Sequence, residues 1–497
     1  MFNHPLSHRP ATLLCCLALL FSCGNQEKSQ QQEVLLEASP DATTINISFT
    51  AQVPQDLSAN ATPQQLVQFA WEEFIALTWK SSYNEDGKRD HPDTSWNWSR
   101  YTDAYPDLLV WETYAHRTEL RPADDQMQAF DMAPRYSFIN PPQPANASAS
   151  FTLFNNLDEN NEIGSCNLYA HYSAEGKTNT VVYQAKTNRD EYEYIRSNYP
   201  TKAQLLAATS KTLDNITKLK EYYPGATSTC NCPAAEGVVC LPCGGAAVPG
   251  STGATYDGAI EIKTAWRKLT AADDPAEFFV RKAIYYEKDP NGTITYNNGD
   301  FALIGIHIIH KTQNYPGFVF ATWEHVGVEG DDMAYELLDG SGNIVENYPR
   351  FHEIPAVVQQ ANAAVHAQMK ALNPNTIWQN YRLVGVQGAP SDDSTSFSYF
   401  LANYVIESDP TLADFHGSSI GDPFDGKPNL LASGQRLFNM GGCKGCHGVA
   451  QITLGTDFSF LLDTVGKPVP SPDILGPLPA TTVPSAKLRS LIAATKK

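Results

Sequence analysis

From Thr62 to Lys80 the apolar side chains recur at helical spacing: Leu66, Phe69, Ala70 and Phe74 lie three or four residues apart. Thr62 is suited to cap that helix, and Pro63 to open it, where a missing N–H costs nothing. Similar spacing predicts a helix over 201–223 and an alanine-rich one over 354–372. Between them the period changes. Residues 259–269, 278–286, 293–298, 301–312 and 317–326 alternate or are β-branched and aromatic, with polar turns such as Asp289-Pro290-Asn291-Gly292 between them. Residues 377–387 return to the strand pattern, and "NTVVYQAKTNRDEYEYIRS" reads as a strand and then a short helix. A short ordered element is expected over 109–116 and a poorly structured connection over 137–160. "SFSYFLANYVIES" reads as a strand or as a loop with a short helix. Beyond about Leu430, helices are expected in the run up to "GGCKGCHG", in "DFSFLLDTVG" and in "PSAKLRSLIAATKK". The fold expected is α+β: a large β-rich domain with an antiparallel sheet and flanking helices, then a short, mainly helical C-terminal segment.

The ends of the chain add organisation. Arg9 precedes the apolar run "ATLLCCLALLF", which is followed by Ser22-Cys23-Gly24. This is the layout of a signal peptide over 1–22, and the run is too short for a comfortable membrane span. "LFSC" resembles a bacterial lipoprotein box, which implies lipidation of Cys23; an ordinary secretory signal is the alternative. A lipid-anchored flexible linker is expected over 23–58, the large domain over 59–428, and a further segment over 429–497. Asn25 after the box, by the same resemblance, favours the periplasmic face of the outer membrane or the cell surface. A lipid anchor would be the protein's only hold on a membrane.

Composition narrows the function. The formal net charge of -19 argues against nucleic acid as a partner, because phosphate binding wants a basic surface. It leaves room for a basic redox partner. Oligomeric state cannot be read from the chain.

The chemistry lies in "GGCKGCHG". A Cys-x-x-Cys-His run is the pattern of covalent c-type haem attachment. Cys443 and Cys446 would form the thioethers to one haem c, and His447 would be the proximal iron ligand. A disulfide or zinc pair is the plainer alternative, but zinc would want two more ligands nearby. In a small electron-transfer cytochrome a methionine downstream usually closes the other face of the iron. Here no methionine and no histidine follows His447. The second axial group must come from upstream, or the position is open. Candidates are His310 first, then His307, His325 and Met440, with His416 behind them. His307 and His310, three apart on a strand, should point to opposite faces. His310 and His325 should approach each other if their strands form a hairpin.

A second cysteine group lies in "CNCPAAEGVVCLPC", within a region at 224–257 expected to be a surface loop. Cys230, Cys232, Cys240 and Cys243 fit two disulfides in an oxidising compartment, a four-thiolate metal site, or a redox-active dithiol. Cys166 is left over, and the pairing cannot be deduced.

The segments "VVYQAKTNRDEYEYI", "GAIEIKTAWRKL", "LIGIHIIHKT", "GFVFATWEHV" and "DFSFLL" resemble exported bacterial proteins of the cytochrome c family, over about residues 60–465. The resemblance implies a single C-terminal haem motif without a trailing methionine, and no firmly assigned reaction. The cysteine-rich region departs from that pattern, as does "HVGVEG" after the "TWEH" phrase. Three functions fit. One is extracytoplasmic electron transfer or redox sensing with a partner protein. Another is a haem enzyme, a peroxidase or small-molecule oxidase, with an open distal site. There His310 or His325 would act as acid or base, Arg281 and Lys311 would steady charge, and Trp96, Trp98 and Trp323 would line a pocket. The last is a ligand- or carbohydrate-binding module that carries a haem. Whether the chain is an enzyme is left open by its residues.

Overall fold

The computed structural model describes residues 45–100, 107–136, 138, 152–160, 170–174, 177–222, 230, 237–329, 335–338, 344–346, 353–389, 396–398, 401, 403, 405–406, 442–463, 465–467 and 471–476. They all belong to the compact unit Ile45–Lys497. The expected signal peptide, Cys23, Cys166, Cys232, His416, Met440 and the final helix lie outside the described residues.

Helix α1 (Pro63–Leu77) starts where its sequence says it should. Thr62 Oγ1 accepts from the Gln65 amide, and Gln65 Oε1 accepts from the Thr62 amide. This reciprocal cap satisfies two N–H groups that the first turn leaves without partners. A short turn of helix follows as α2 (Tyr83–Asp86).

The strands are β1 (Ala115–His116), β2 (Ala170–Ala174), β3 (Lys177–Thr180), β4 (Val182–Thr187), β5 (Ile260–Lys268), β6 (Val280–Lys288), β7 (Ile294–His310), β8 (Val319–His325), β9 (Tyr335–Leu338), β10 (Ile344–Glu346) and β11 (Tyr381–Gln387). The remaining helices are α3 (Arg189–Asn198), α4 (Lys202–Tyr222), α5 (Ala356–Leu372) and α6 (Gly442–Val449). Seven strands form an antiparallel sheet in the order β1-β4-β5-β7-β8-β11, with β6 paired to the first half of β7. A second sheet runs β10-β9-β2-β3. The fold is α+β, as expected.

The main sheet is covered on both faces. On one, α1 and α5 pack Trp71, Phe74, Val358, Val365 and Met369 onto Ile262, Ile306, Ile308 and Trp323. Trp323 lies 5.0 Å from Phe74 and 6.0 Å from Trp71, ring to ring. Trp98 meets Phe49, and Trp96 meets Trp79. Trp98 and Trp323 are part of the buried core, and Trp96 packs half-buried against it. On the other face, Tyr192 and Ile195 of α3, Leu205 and Ala208 of α4, and Phe458, Leu461 and Leu462 cover Ala185, Ile309 and Phe320. Among the described residues, no helix is long and apolar enough to cross a membrane.

Several local expectations are corrected. Residues 293–298 and 301–312 are one strand, not two. Gly299 reads as a break, yet it stays in register opposite Ala283. A Cβ there would stand 3.1 Å from the Tyr285 ring, so the missing side chain makes room for packing. The described end of the expected linker is not a tether. Ile45, Ile47 and Phe49 alternate with polar residues and pack against the α1 face, where the Ile47 amide donates to Gln368. The cysteine-rich region is not wholly on the surface: Val238, Val239, Leu241 and Cys243 are buried. The Gly244 amide donates to the Lys311 carbonyl at 2.9 Å, which ties this run to the end of β7. "DFSFLL" forms turns instead of a helix, because Asp457 (φ 55) and Phe458 (φ 70) are left-handed.

Candidate functional site

The second face of the sheet carries the motif. Register places Glu261, Ile309, Phe320 and Gln387 in one row across β5, β7, β8 and β11. The next row on the same face is Lys263, His307, Thr322 and Gly385. Helix α6 sits over the first row. The Lys444 amide donates to Gln387 Oε1 at 2.7 Å, and Lys444 Nζ donates to the Gly388 carbonyl at 3.2 Å. Gly317 lies beneath it, where a Cβ would come within 2.8 Å of Lys444 Cε. Burial lowers the Lys444 ammonium to about 8. Within α6, Cys446 and His447 stand three and four positions after Cys443, within little more than one helical turn.

His447 is held on three sides. Its ring lies 4.9 Å from Phe320 and 4.9 Å from Phe460. Its Nδ1 is 2.8 Å from the Phe458 carbonyl oxygen. A carbonyl only accepts, so Nδ1 carries the proton and Nε2 keeps its lone pair. Burial pushes the imidazole down to about 4, with the Phe458 bond working the other way, so it is neutral near pH 7.

The turn that presents Phe458 is built under strain. Two consecutive non-glycine residues in the left-handed region cost on the order of 1–2 kcal/mol each. Asp457 is anchored by a buried ion pair with Lys311, and its carboxylate also accepts from the Leu241 amide at 2.8 Å. The Asp457 amide donates to Gln451 Oε1 at 2.7 Å. Gly455 (φ 69) passes so close to α4 that a Cβ would stand 2.2 Å from the Thr209 carbonyl.

Beside α6, residues 401, 403, 405 and 406 pack on this face of the sheet. Asn403 Nδ2 donates to Thr322 Oγ1 at 2.8 Å, and the Tyr183 hydroxyl donates to the Val405 carbonyl at 2.8 Å. Glycines admit this segment. A Cβ on Gly305 would meet Val405 at 2.7 Å, and one on Gly385 would meet Leu401 at 2.2 Å. These contacts fall on the His307 row itself at Thr322 and Gly385, and one row beyond it at Gly305.

The upstream histidines separate cleanly. His307 and His310 do point to opposite faces. His307 shares the face of His447; burial drives it down to about 3, and the neighbouring His447 and Lys263 add to the shift. His310, the first choice for the second axial group, is on the α1 face. Its Nδ1 stands 2.9 Å from Glu73, and its Nε2 is 2.5 Å from the Asp257 carbonyl oxygen. His325 is also on the α1 side, stacked on Phe278. Its Nε2 donates to the Glu277 carbonyl at 2.9 Å, and its Nδ1 accepts from the Gly327 amide at 3.1 Å. His310 and His325 do not meet. His310 pairs with Val319, and His325 lies six residues along β8, roughly 20 Å away at about 3.4 Å per residue. Arg281 is bound to Glu112 through two contacts, at 2.7 and 2.8 Å, and Lys311 to Asp457. Both cations are thus engaged by carboxylates. Cys230 is joined to Cys243, and Cys240 is also in a disulfide, so these three thiols are not metal ligands.

Sequence reasoning missed a buried carboxyl pair beside this site. Glu191 of α3 and Glu261 of β5 are both buried, and neither oxygen of Glu191 has a hydrogen-bond partner of good geometry. Burial pushes Glu191 up to about 8. Burial, and then the charge of Glu191, push Glu261 well above the carboxylate range. Its signal in the sequence was weak: one acid in each of two amphipathic segments. Asp457 had a clearer one, as a lone acid ahead of the apolar run "FSFLL".

The chain matches no protein-family model, no curated protein and no solved structure. Function has to be argued from the site.

Proposed function

We propose that this chain is a single-haem c-type cytochrome that acts in electron transfer or redox sensing outside the cytoplasm. The observation that carries this reading is His447 on α6. Its Nδ1–H is spent on the Phe458 carbonyl, and Nε2 is left as a neutral donor. Haem-ligating histidines need that arrangement, since a bond from the second nitrogen fixes tautomer and orientation. Cys443, Cys446 and His447 lie within little more than one turn of α6, the Cys-x-x-Cys-His spacing of c-type haem attachment.

When bound, the haem supplies one-electron redox chemistry. The protein's own part is to fix His447, with its ring against Phe320 and Phe460 and its Nδ1–H on the Phe458 carbonyl. Electron transfer is favoured over a haem enzyme because the acid, base and cation candidates have other work. His310, His325, Arg281 and Lys311 are committed to Glu73, Glu277, Glu112 and Asp457 respectively. The signal-like leader and the Cys230–Cys243 disulfide support an oxidising, exported setting, with Cys23 as the lipid anchor. The formal charge of -19 favours a basic redox partner.

Optical spectra of the purified holoprotein test the choice. Low-spin ferric and ferrous forms that ignore azide and carbon monoxide are expected. A high-spin ferric form that binds azide would favour the enzyme.

A further inference from the structure

The reading above leaves the second iron face unassigned. We propose that His307 supplies it, so that the iron is held by two imidazoles, one from α6 and one from β7. This rests on the haem reading of Cys443–His447 and goes beyond it by naming the second ligand.

The argument is positional. His447 packs on Phe320, and Phe320 is the diagonal neighbour of His307 on adjacent strands, about 7–8 Å away between backbones. His307 is half-buried with its Nε2 enclosed by the protein, whereas His310 on the other face is wholly buried. The row of His307 neighbours the one that α6 covers, and Asn403 and Leu401 pack on its Thr322 and Gly385. The other described histidine side chains are elsewhere. His310 and His325 are on the α1 face. His116 is engaged by Thr118 and Asp158, His366 by the Tyr381 carbonyl, and His91 lies exposed beside Asp86. A neutral imidazole on a central strand is also a rigid ligand. β7 is bonded on both sides at this position, to Lys263 of β5 and Thr322 of β8.

The test uses the full-length holoprotein and reads the iron, not an activity. Covalent haem is first checked by haem staining after denaturing electrophoresis. Near-infrared magnetic circular dichroism of the ferric protein should then give the charge-transfer band of bis-imidazole iron. His307→Ala should lose the low-spin spectrum, and added imidazole should restore it. His310→Ala should keep it. A wild-type band of histidine–methionine or high-spin type would overturn the assignment, as would a low-spin spectrum unchanged in H307A. Haem that is retained covalently in those cases would leave the broader haem reading standing, and absent covalent haem would remove both.

Discussion

Nδ1 of His447 lies 2.8 Å from the carbonyl oxygen of Phe458, and the Phe458 backbone is left-handed at φ 70. A bulky aromatic does not adopt that conformation without compensation. The Asp457–Lys311 pair and the close passage of Gly455 over Thr209 provide it.

Gly455→Ala is therefore a sensitive probe of the turn. The added methyl meets the Thr209 carbonyl and also strains a positive φ. A loss of about 2–4 kcal/mol is expected in urea unfolding. On the haem reading proposed above, the variant's spectrum should also broaden as His447 loses its fixed orientation. A stability change under 0.5 kcal/mol would show that the turn is not closely packed.

Much of this was legible in advance. The capping of α1 by Thr62, the strands β5, β6 and β8, and the opposed faces of His307 and His310 follow from local pattern. Local pattern could not rank the histidines, because that depends on partners distant in sequence. His310 is claimed by Glu73, on a helix more than two hundred residues earlier. The Phe458 turn was misread as a helix for the same reason, since the Lys311 and Leu241 contacts that hold it are not visible in "DFSFLL".

The Glu73–His310 pair should be visible in the pH dependence of stability. Burial opposes the imidazolium, but the Glu73 carboxylate more than offsets it, so folding raises His310 above its ordinary 6.5. The stabilisation is full below 6.5 and fades as pH rises through the higher folded value. Glu73→Gln should cost about 3–5 kcal/mol at pH 6, and less at pH 9. Urea midpoints across that range check it, and a cost independent of pH would contradict the pairing.

Glu191 should also titrate against stability. It is raised from 4.5 to about 8 by burial, so the folded protein holds a proton that the unfolded chain releases. Stability should fall as pH rises from about 4.5 towards 8. Glu191→Gln keeps the shape without the charge. It should flatten that part of the curve, with little change at pH 4.5 and a gain at pH 8. An unaltered slope would place the titration elsewhere.

The cysteine group can be tested against metal binding. Cys230 and Cys243 are 13 residues apart in sequence, and closing a loop of about 15 residues contributes about 3 kcal/mol. Cys243→Ser should lower stability by about 2–4 kcal/mol. A reductant should do the same, whereas a chelator should do nothing. Loss of stability on chelation would revive the thiolate-metal reading.

The proposed function stands on Cys443, Cys446 and His447 carrying a haem. Its most direct test is the intact mass of the full chain made in a host that matures c-type cytochromes, alongside Cys443→Ser/Cys446→Ser. The wild type should gain the mass of one haem and keep it through denaturation, and the double variant should not. A wild-type chain with no added haem mass would contradict it.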